Sequence, residues 1–435
     1  MIPDFLLGGT PAAVLAALPG ARAVGGAVRD HLAGRAIHDV DVAVPLPPGT
    51  TSRLLRAAGL KVVETGLQHG TVTAVLDRQP VEVTSLRRDV VTDGRHAEVA
   101  WTADWEEDAA RRDFTINAMS MSADGEVHDF FGGRDDLAAG RVRFVGDARQ
   151  RLAEDYLRAL RFFRFWARYG RGEPDAEALA AIREAVPGLG RLSVERVWME
   201  MKRLLAAEDP SPALRLMAET GVLPAILHEN VLEGFPTCAP DPEAITTLHR
   251  LHAPQNILLR FAALTRSMTP LDLRVGPMGE RYPFSTVELL AITDLLEPWN
   301  LFRAGNPSLQ DTMITPADGD LLDTKRFRIG RGMSGDIQHT QWLSTYLVEG
   351  FGAELDLDRT WSENQWAQLR QRLVDRPIPT MPLKGRDVVA LKVQPGWQVG
   401  QFLGEVERWW IEGRTIPDRE ACLAKLRELV ARHNG

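Results

Sequence analysis

The chain has 435 residues, 59 acidic against 51 basic side chains, a formal net charge of -8 and only two cysteines. That length exceeds one simple core and implies roughly two to four domains, and the acidic balance excludes a surface that attracts nucleic acid everywhere. Cys238 and Cys422 form no CxxC pattern, which argues against zinc and a disulfide framework and fits a reducing cytoplasm. The N-terminal MIPDFLLGGTPAAVLAALPGA lacks a basic leader and predicts a short buried helix after Pro11. From about residue 20 to 146, alternating apolar runs predict strands over Asp39–Val44, Lys61–Thr65, Thr71–Leu76 and Val81–Leu86, with helices over Ala27–Leu32 and Ser52–Ala58. Residues 87–105 read as a polar loop with Asp93-Gly94 as its turn. From 147 the apolar period becomes helical, over Asp147–Tyr169, Pro174–Glu184, Val194–Leu205, Pro210–Glu219 and Ala421–His433. The segment 302–335 reads as loop-rich. No stretch approaches the about 18 apolar residues of a membrane span. The expected fold is a small α/β head followed by an array of helices.

The chemistry concentrates in VGGAVRDHLAGRAIHDVDVAV, residues 24–44. Asp39 and Asp41 sit two apart in an alternating run, so a strand projects both to one face. Unpaired carboxylates that close repel, and a hard divalent cation with oxygen ligands relieves them. Gly25 and Gly26 open a helix and let backbone approach phosphate oxygens. Glu82, in a second alternating strand, is a candidate third carboxylate or an ordinary exposed strand residue. Glycines for a triphosphate beside carboxylates for Mg²⁺ point to nucleotidyl transfer.

The string resembles the signature of the tRNA nucleotidyltransferase and bacterial poly(A) polymerase family at Gly25, Gly26, Val28, Arg29, Asp30, Leu32, Gly34, Arg35, Asp39, Asp41 and Ala43. Further blocks resemble the same family: RRDFTINAM at 111–119, HDFFGGRDDL at 128–137 and EDYLRALR at 154–161. The resemblance implies a DNA polymerase beta-like α/β nucleotidyltransferase head over 1–146. It implies an all-α neck over 147–225, a body over 226–380 and a tail over 381–435. Asp39 and Asp41 would be catalytic and metal-holding, with Glu82 beside them. Gly25, Gly26, Arg29, Arg112, Asp113 and Asn117 would bind the nucleotide. Asp155 and Arg158, three apart on a helix and so on one face, would read the incoming base. Arg161 and Arg164 would support phosphate or template geometry. The implied activity is addition of CCA to tRNA 3′ ends from CTP and ATP with Mg²⁺, in the cytoplasm. The residues leave open a poly(A) polymerase, a partial enzyme adding only CC or only A, and a non-catalytic RNA-binding module. Oligomeric state is not readable.

Overall fold

The computed structural model describes residues 2–227 except 65, 68, 69 and 93–96, with backbone only over 89–99. Beyond these it describes 240–266, isolated positions between 284 and 350, and then 362–375, 381–412 and 417–434. The chain forms two compact units, Met1–Phe235 and Pro236–Gly435. Among the described residues no helix is long and apolar enough to cross a membrane.

The first unit opens with helices α1 (Asp4–Leu7) and α2 (Gly9–Ala17), then β1 (Arg22–Val24), α3 (Gly26–Leu32), β2 (Asp41–Val44) and α4 (Pro48–Ala57). Strands β3 (Lys61–Val63), β4 (Thr71–Leu76) and β5 (Gln79–Ser85) follow. A two-stranded hairpin, β6 (Arg87–Thr92) with β7 (Ala97–Trp101), precedes α5 (Trp105–Ala110), β8 (Ser120–Met121), β9 (Val127–His128) and α6 (Gly133–Ala139). Seven strands join in the order β3-β4-β5-β2-β1-β8-β9. The strand pairing that decides the site is β2 with β5, parallel, with Val42 opposite Val83. One face of this sheet carries Ala23, Val42, Val44, Val72, Ala74, Val81 and Val83, all buried. Helices α2 and α4 cover it. Alternation turns Asp41, Glu82, Thr73 and Thr84 to the other face.

After β9 every regular element among the described residues is helical. The first unit continues through α7 (Ala148–Glu154), α8 (Leu157–Tyr169), α9 (Ala176–Ala185), α10 (Val194–Leu205), α11 (Ser211–Glu219) and α12 (Val222–Leu227). Phe162, Phe163 and Phe165 on the strongly amphipathic α8 are buried, and Phe162 stacks on Phe144. The second unit is helical where described. Its C-terminal helices, Trp397–Glu412 and Arg419–Asn434, close a core of Phe402, Val406, Trp410, Leu426 and Val430 around the free, buried Cys422. Cys238 and the loop expected over 302–335 lie outside the described residues.

Four expectations need correction. Strand β2 begins at Asp41, so Asp39 stands just ahead of the strand rather than within it. The strand expected over Lys61–Thr65 ends at Val63, and Thr65 lies outside the described residues. The polar loop expected over 87–105 is largely a β-hairpin, because Val90, Val91, Thr92 and Val99 favour extended backbone. Its Asp93, Gly94 and Arg95 lie outside the described residues. The single helix expected over Asp147–Tyr169 is broken at Asp155, whose backbone is extended (φ -156°, ψ 107°). The Asp155 carboxylate turns back to accept from the Leu157 N–H at 3.1 Å, giving the new helix its start.

Candidate active site

Three elements bring the expected residues together: the open sheet face, the glycine turn and the seam between α8 and α10. On the sheet face, Asp41 lies opposite Val24 of β1, and the β2–β5 register sets it beside Glu82. Burial among surrounding atoms raises the Asp41 pKa, and the charges of Glu82 and Asp39 raise it further against the pull of Arg112. Asp39, Asp41 and Glu82 carry no ion pair among the described residues. That donor set fits a hard divalent cation, which would replace mutual repulsion with shared attraction. Among the described residues no three His, Cys, Asp or Glu side chains enclose a metal position by themselves.

The glycine turn lies at the end of β1. Gly25 holds φ +62°, ψ -116°, a backbone that side-chain-bearing residues rarely adopt. A Cβ there would meet Arg112 Nη1 at 3.1 Å, and one at Gly26 would stand 3.7 Å from Arg29 Nη2. Two guanidiniums thus border the two glycines. Since α3 has only seven residues, the arginines supply most of the positive field. Each is held from behind. Arg29 donates to Asn117 Oδ1 at 2.6 Å and to Asp30 at 3.0 Å, and its cation lies over the Tyr169 ring at 4.6 Å. The Tyr169 hydroxyl donates to Asp30 in turn. Arg112 donates to Asp108 Oδ2 at 3.2 Å and to the Asn117 carbonyl at 3.3 Å.

Asp113 is buried, and four donors fill its carboxylate. Oδ1 accepts from Asn117 Nδ2 and the Phe114 N–H, both at 2.9 Å, and Oδ2 from Arg161 Nε and Nη2 at 2.7 and 2.5 Å. Burial alone would raise its pKa, but Arg161 and these hydrogen bonds hold it below the usual aspartate range. Asp113 thereby organises both Asn117 and Arg161.

Asp155 and Arg158 do not share a helix face, because the break at Asp155 separates them. Each has its own partner. Asp155 Oδ2 accepts from Arg196 Nη2 at 2.6 Å. Arg158 pairs with Glu154 at 2.5 Å and donates to the carbonyl of Arg151 at 2.9 Å. Glu154 also holds Arg151. One turn beyond Arg196, the buried Glu200 faces three arginines: Arg164 at 2.8 Å, Arg203 at 3.2 Å and Arg161 at 3.8 Å. Burial pulls the Arg164 guanidinium down to about 10 despite Glu200.

Sequence reasoning missed Arg196, Glu200, Tyr169 and Asp108. The readable signal was charge inside an amphipathic helix: Arg196 and Glu200 are i, i+4 in SVERVWMEMKRLL.

Residues 21–143 match the family model "Poly A polymerase head domain", and 173–231 match "Probable RNA and SrmB- binding site of polymerase A". The CCA-adding enzyme of Bacillus subtilis is 38% identical over 406 residues, covering 90% of this chain and 89% of the relative. The chain belongs to the CCA-adding tRNA nucleotidyltransferase family. The mouse mitochondrial CCA tRNA nucleotidyltransferase 1 is 32% identical across 94% of this chain and 86% of its own length. Among solved structures, the Bacillus stearothermophilus CCA-adding enzyme in complex with CTP matches with a TM-score of 0.66 at 26% identity, over 95% of this chain and 94% of that one. Both the α/β head and the helical remainder therefore have counterparts in the family, and the chain is a nucleotidyltransferase.

Proposed function

We propose that this chain adds C, C and A to the 3′ end of tRNA from CTP and ATP without a nucleic-acid template. One observation carries the reading: identity to a CCA-adding enzyme extends over 90% of the chain and is not confined to the head. The work divides among a catalytic head at 1–146, a base-reading neck at 147–225, a body at 226–380 and a tRNA-binding tail at 381–435. Two cysteines without a CxxC pattern favour the cytoplasm as the place of action.

In this reading Asp39 and Asp41 hold Mg²⁺, with Glu82 as a third carboxylate at the same face. The ion supplies a lowered pKa for the tRNA 3′ hydroxyl and charge neutralisation at the phosphates. Gly25 and Gly26 leave room for the triphosphate, and Arg29 and Arg112 neutralise it. Guanidinium suits this because its planar fork binds two oxygens at once. Asn117 and Asp113 keep those arginines and Arg161 in position before the nucleotide arrives, so little reorganisation accompanies the reaction. Asp155 and Arg158 read the base. Cytosine and adenine offer an exocyclic amino group where uracil and guanine offer a carbonyl, so a carboxylate accepts from the first pair and repels the second. Arg161 and Arg164, anchored on Asp113 and Glu200, support that template geometry.

The test uses three tRNA transcripts ending at the discriminator base, at C and at CC, each incubated with Mg²⁺ and all four nucleoside triphosphates. Sequenced 3′ ends should all read CCA and stop there. A long A tail, a halt at CC, or RNA binding without extension would overturn the proposal.

A further inference from the structure

We propose that Tyr169 is a positioning residue for triphosphate capture: its hydroxyl fixes Asp30, and through Asp30 it aims the Arg29 guanidinium at the glycine turn. The inference rests on the reading of Arg29 as a triphosphate-binding residue.

Arg29 and Asp30 are consecutive on α3, and consecutive side chains of a helix do not face each other. Their pairing is therefore not a default of the helix. Arg29 nonetheless donates to Asp30 Oδ1 through Nε at 3.0 Å and brings Nη2 to the same oxygen at 3.0 Å. What holds Asp30 in that place lies 139 residues away. The hydroxyl of Tyr169, the last residue of α8, donates to the same Oδ1. Arg168 faces Oδ2 at 3.8 Å, but its side chain is half exposed and solvent screens the pair. The hydroxyl is thus the donor that gives Asp30 its direction.

The arrangement prepares Arg29 for phosphate. A guanidinium has five N–H groups in a fixed fork. Asp30 takes Nε and one N–H of Nη2, and Asn117 takes one N–H of Nη1. Among the described residues this leaves one N–H on each terminal nitrogen, a pair that suits two oxygens of one phosphate. Nη2 stands 3.7 Å from where a Cβ of Gly26 would lie, so that pair borders the glycine turn. With Asn117 alone, the guanidinium would pivot about Nη1. With Asp30 held as well, its plane is set before the nucleotide arrives.

The Tyr169 ring adds a second restraint. The Arg29 cation lies 4.6 Å from its centre and the Arg35 cation 5.2 Å. Arg35 also donates to the Arg168 carbonyl at 2.7 Å, and its backbone N–H donates to the Asp30 carbonyl at 2.8 Å. The chain leaving α3 toward Asp39 is pinned to the same end of α8 as the glycine turn. Ring and hydroxyl are separable: phenylalanine keeps the cation contacts and the stacking on Phe165 at 6.1 Å, and removes only the donor to Asp30.

The experiment compares wild type, Y169F, D30A, the double variant Y169F/D30A and R29A on tRNA ending at the discriminator base and at CC. It records kcat and KM for all four nucleoside triphosphates, the inhibition constant of pyrophosphate, and thermal unfolding of each protein. Y169F should raise KM for CTP and for ATP by the same factor, about tenfold, as loss of a hydrogen bond to a charged group does. Its kcat should fall less. Pyrophosphate should inhibit Y169F more weakly in the same proportion, because the cradle holds phosphates and not bases. Preference among the four bases should stay at the wild-type level. The double variant should bind nucleotide no worse than D30A, since the hydroxyl acts through that carboxylate. Wild-type KM and pyrophosphate inhibition in a folded Y169F, while R29A has lost both, would overturn the role of Tyr169. So would an altered base preference in Y169F, which would place Tyr169 in base reading. If Y169F does not fold, D30A decides, and wild-type KM there overturns the proposal. Retained nucleotide and pyrophosphate affinity in R29A would instead remove the triphosphate assignment itself.

Discussion

On the open sheet face Asp41 lies beside Glu82, with Asp39 just ahead of the strand, and none of the three has an ion pair among the described residues. In the seam between α8 and α10, Asp113, Asp155 and Glu200 each hold at least one arginine within 2.8 Å. The same side-chain chemistry serves two ends. Uncompensated carboxylates invite a cation from outside and do little for the fold, since their repulsion opposes it. Compensated ones give a fixed shape before substrate arrives, and breaking one strands a charge in a poorly solvated place.

The sharpest way to break this contrast is Asp41→Ala. Transfer, followed as Mg²⁺-dependent pyrophosphate release, should fall to roughly a thousandth of wild type or lower, as loss of a central electrostatic group does. The thermal midpoint should hold or rise, because a carboxylate whose pKa is raised by burial and like charge is removed. A folded, active Asp41→Ala enzyme would dissolve the sheet-face half of the comparison. Chelating divalent cations should likewise stop transfer, while far-ultraviolet circular dichroism stays unchanged.

Asp113→Ala should do the reverse and damage the fold first. It strands Arg161 and frees Asn117, at a cost of about 3 kcal/mol in denaturant unfolding. A loss near zero would show that the seam is no more structural than the sheet face.

Acid offers a milder probe. Asp113 and Asp108 both have folded pKa values below the ordinary 3.8. For Asp108, burial is outweighed by Arg111, Arg112 and their hydrogen bonds. A depressed folded pKa means that the stabilisation is complete above the unfolded value and is lost as pH falls through the folded one. Unfolding free energy should therefore drop below about pH 4, and the drop should shrink in Asp113→Asn. The smallest effect belongs to the exposed pair Arg149–Glu184, whose side chains are 52% and 58% exposed. Arg149→Ala should leave unfolding unchanged within error, because solvent already screens the pair.

What was legible in the sequence was local. The doubled glycine and the strand from Asp41 onward carry their meaning within a few residues, so backbone sterics and alternation were enough to read them, whereas the same alternation ran two residues too far and took in Asp39, which stands ahead of the strand. The α/β head and the helical remainder followed from a change of apolar period. Glu82 was half legible: alternation gave it a face, but only the pairing of β2 with β5 makes it a neighbour of Asp41. The helix break at Asp155 was hidden because apolar residues keep helical spacing across it, and a short carboxylate that caps its own chain leaves no trace in periodicity. Arg196 meets Asp155 at the break before α8 and Glu200 meets Arg164 of α8, both more than 30 positions earlier, and no local pattern announces such a partner. The hairpin at 87–101 was masked by its polar residues, although its valines favour extended chain.

The link from Asp113 to Arg161 spans 48 residues, and Arg161 in turn faces Glu200. A chain leaving the ribosome presents its N-terminal half first. The pairing of β2 with β5 that sets Asp41 beside Glu82 can form as soon as β5 has emerged, before β8 and β9 complete the sheet. Asp113 then lacks its guanidinium until α8 follows, and Arg164 of α8 lacks Glu200 until α10 does. Order of synthesis thus divides the head in time: the pairing that carries Asp41 and Glu82 can form early, and the arginines around Asn117 and Asp113 are held fully only when the helices arrive.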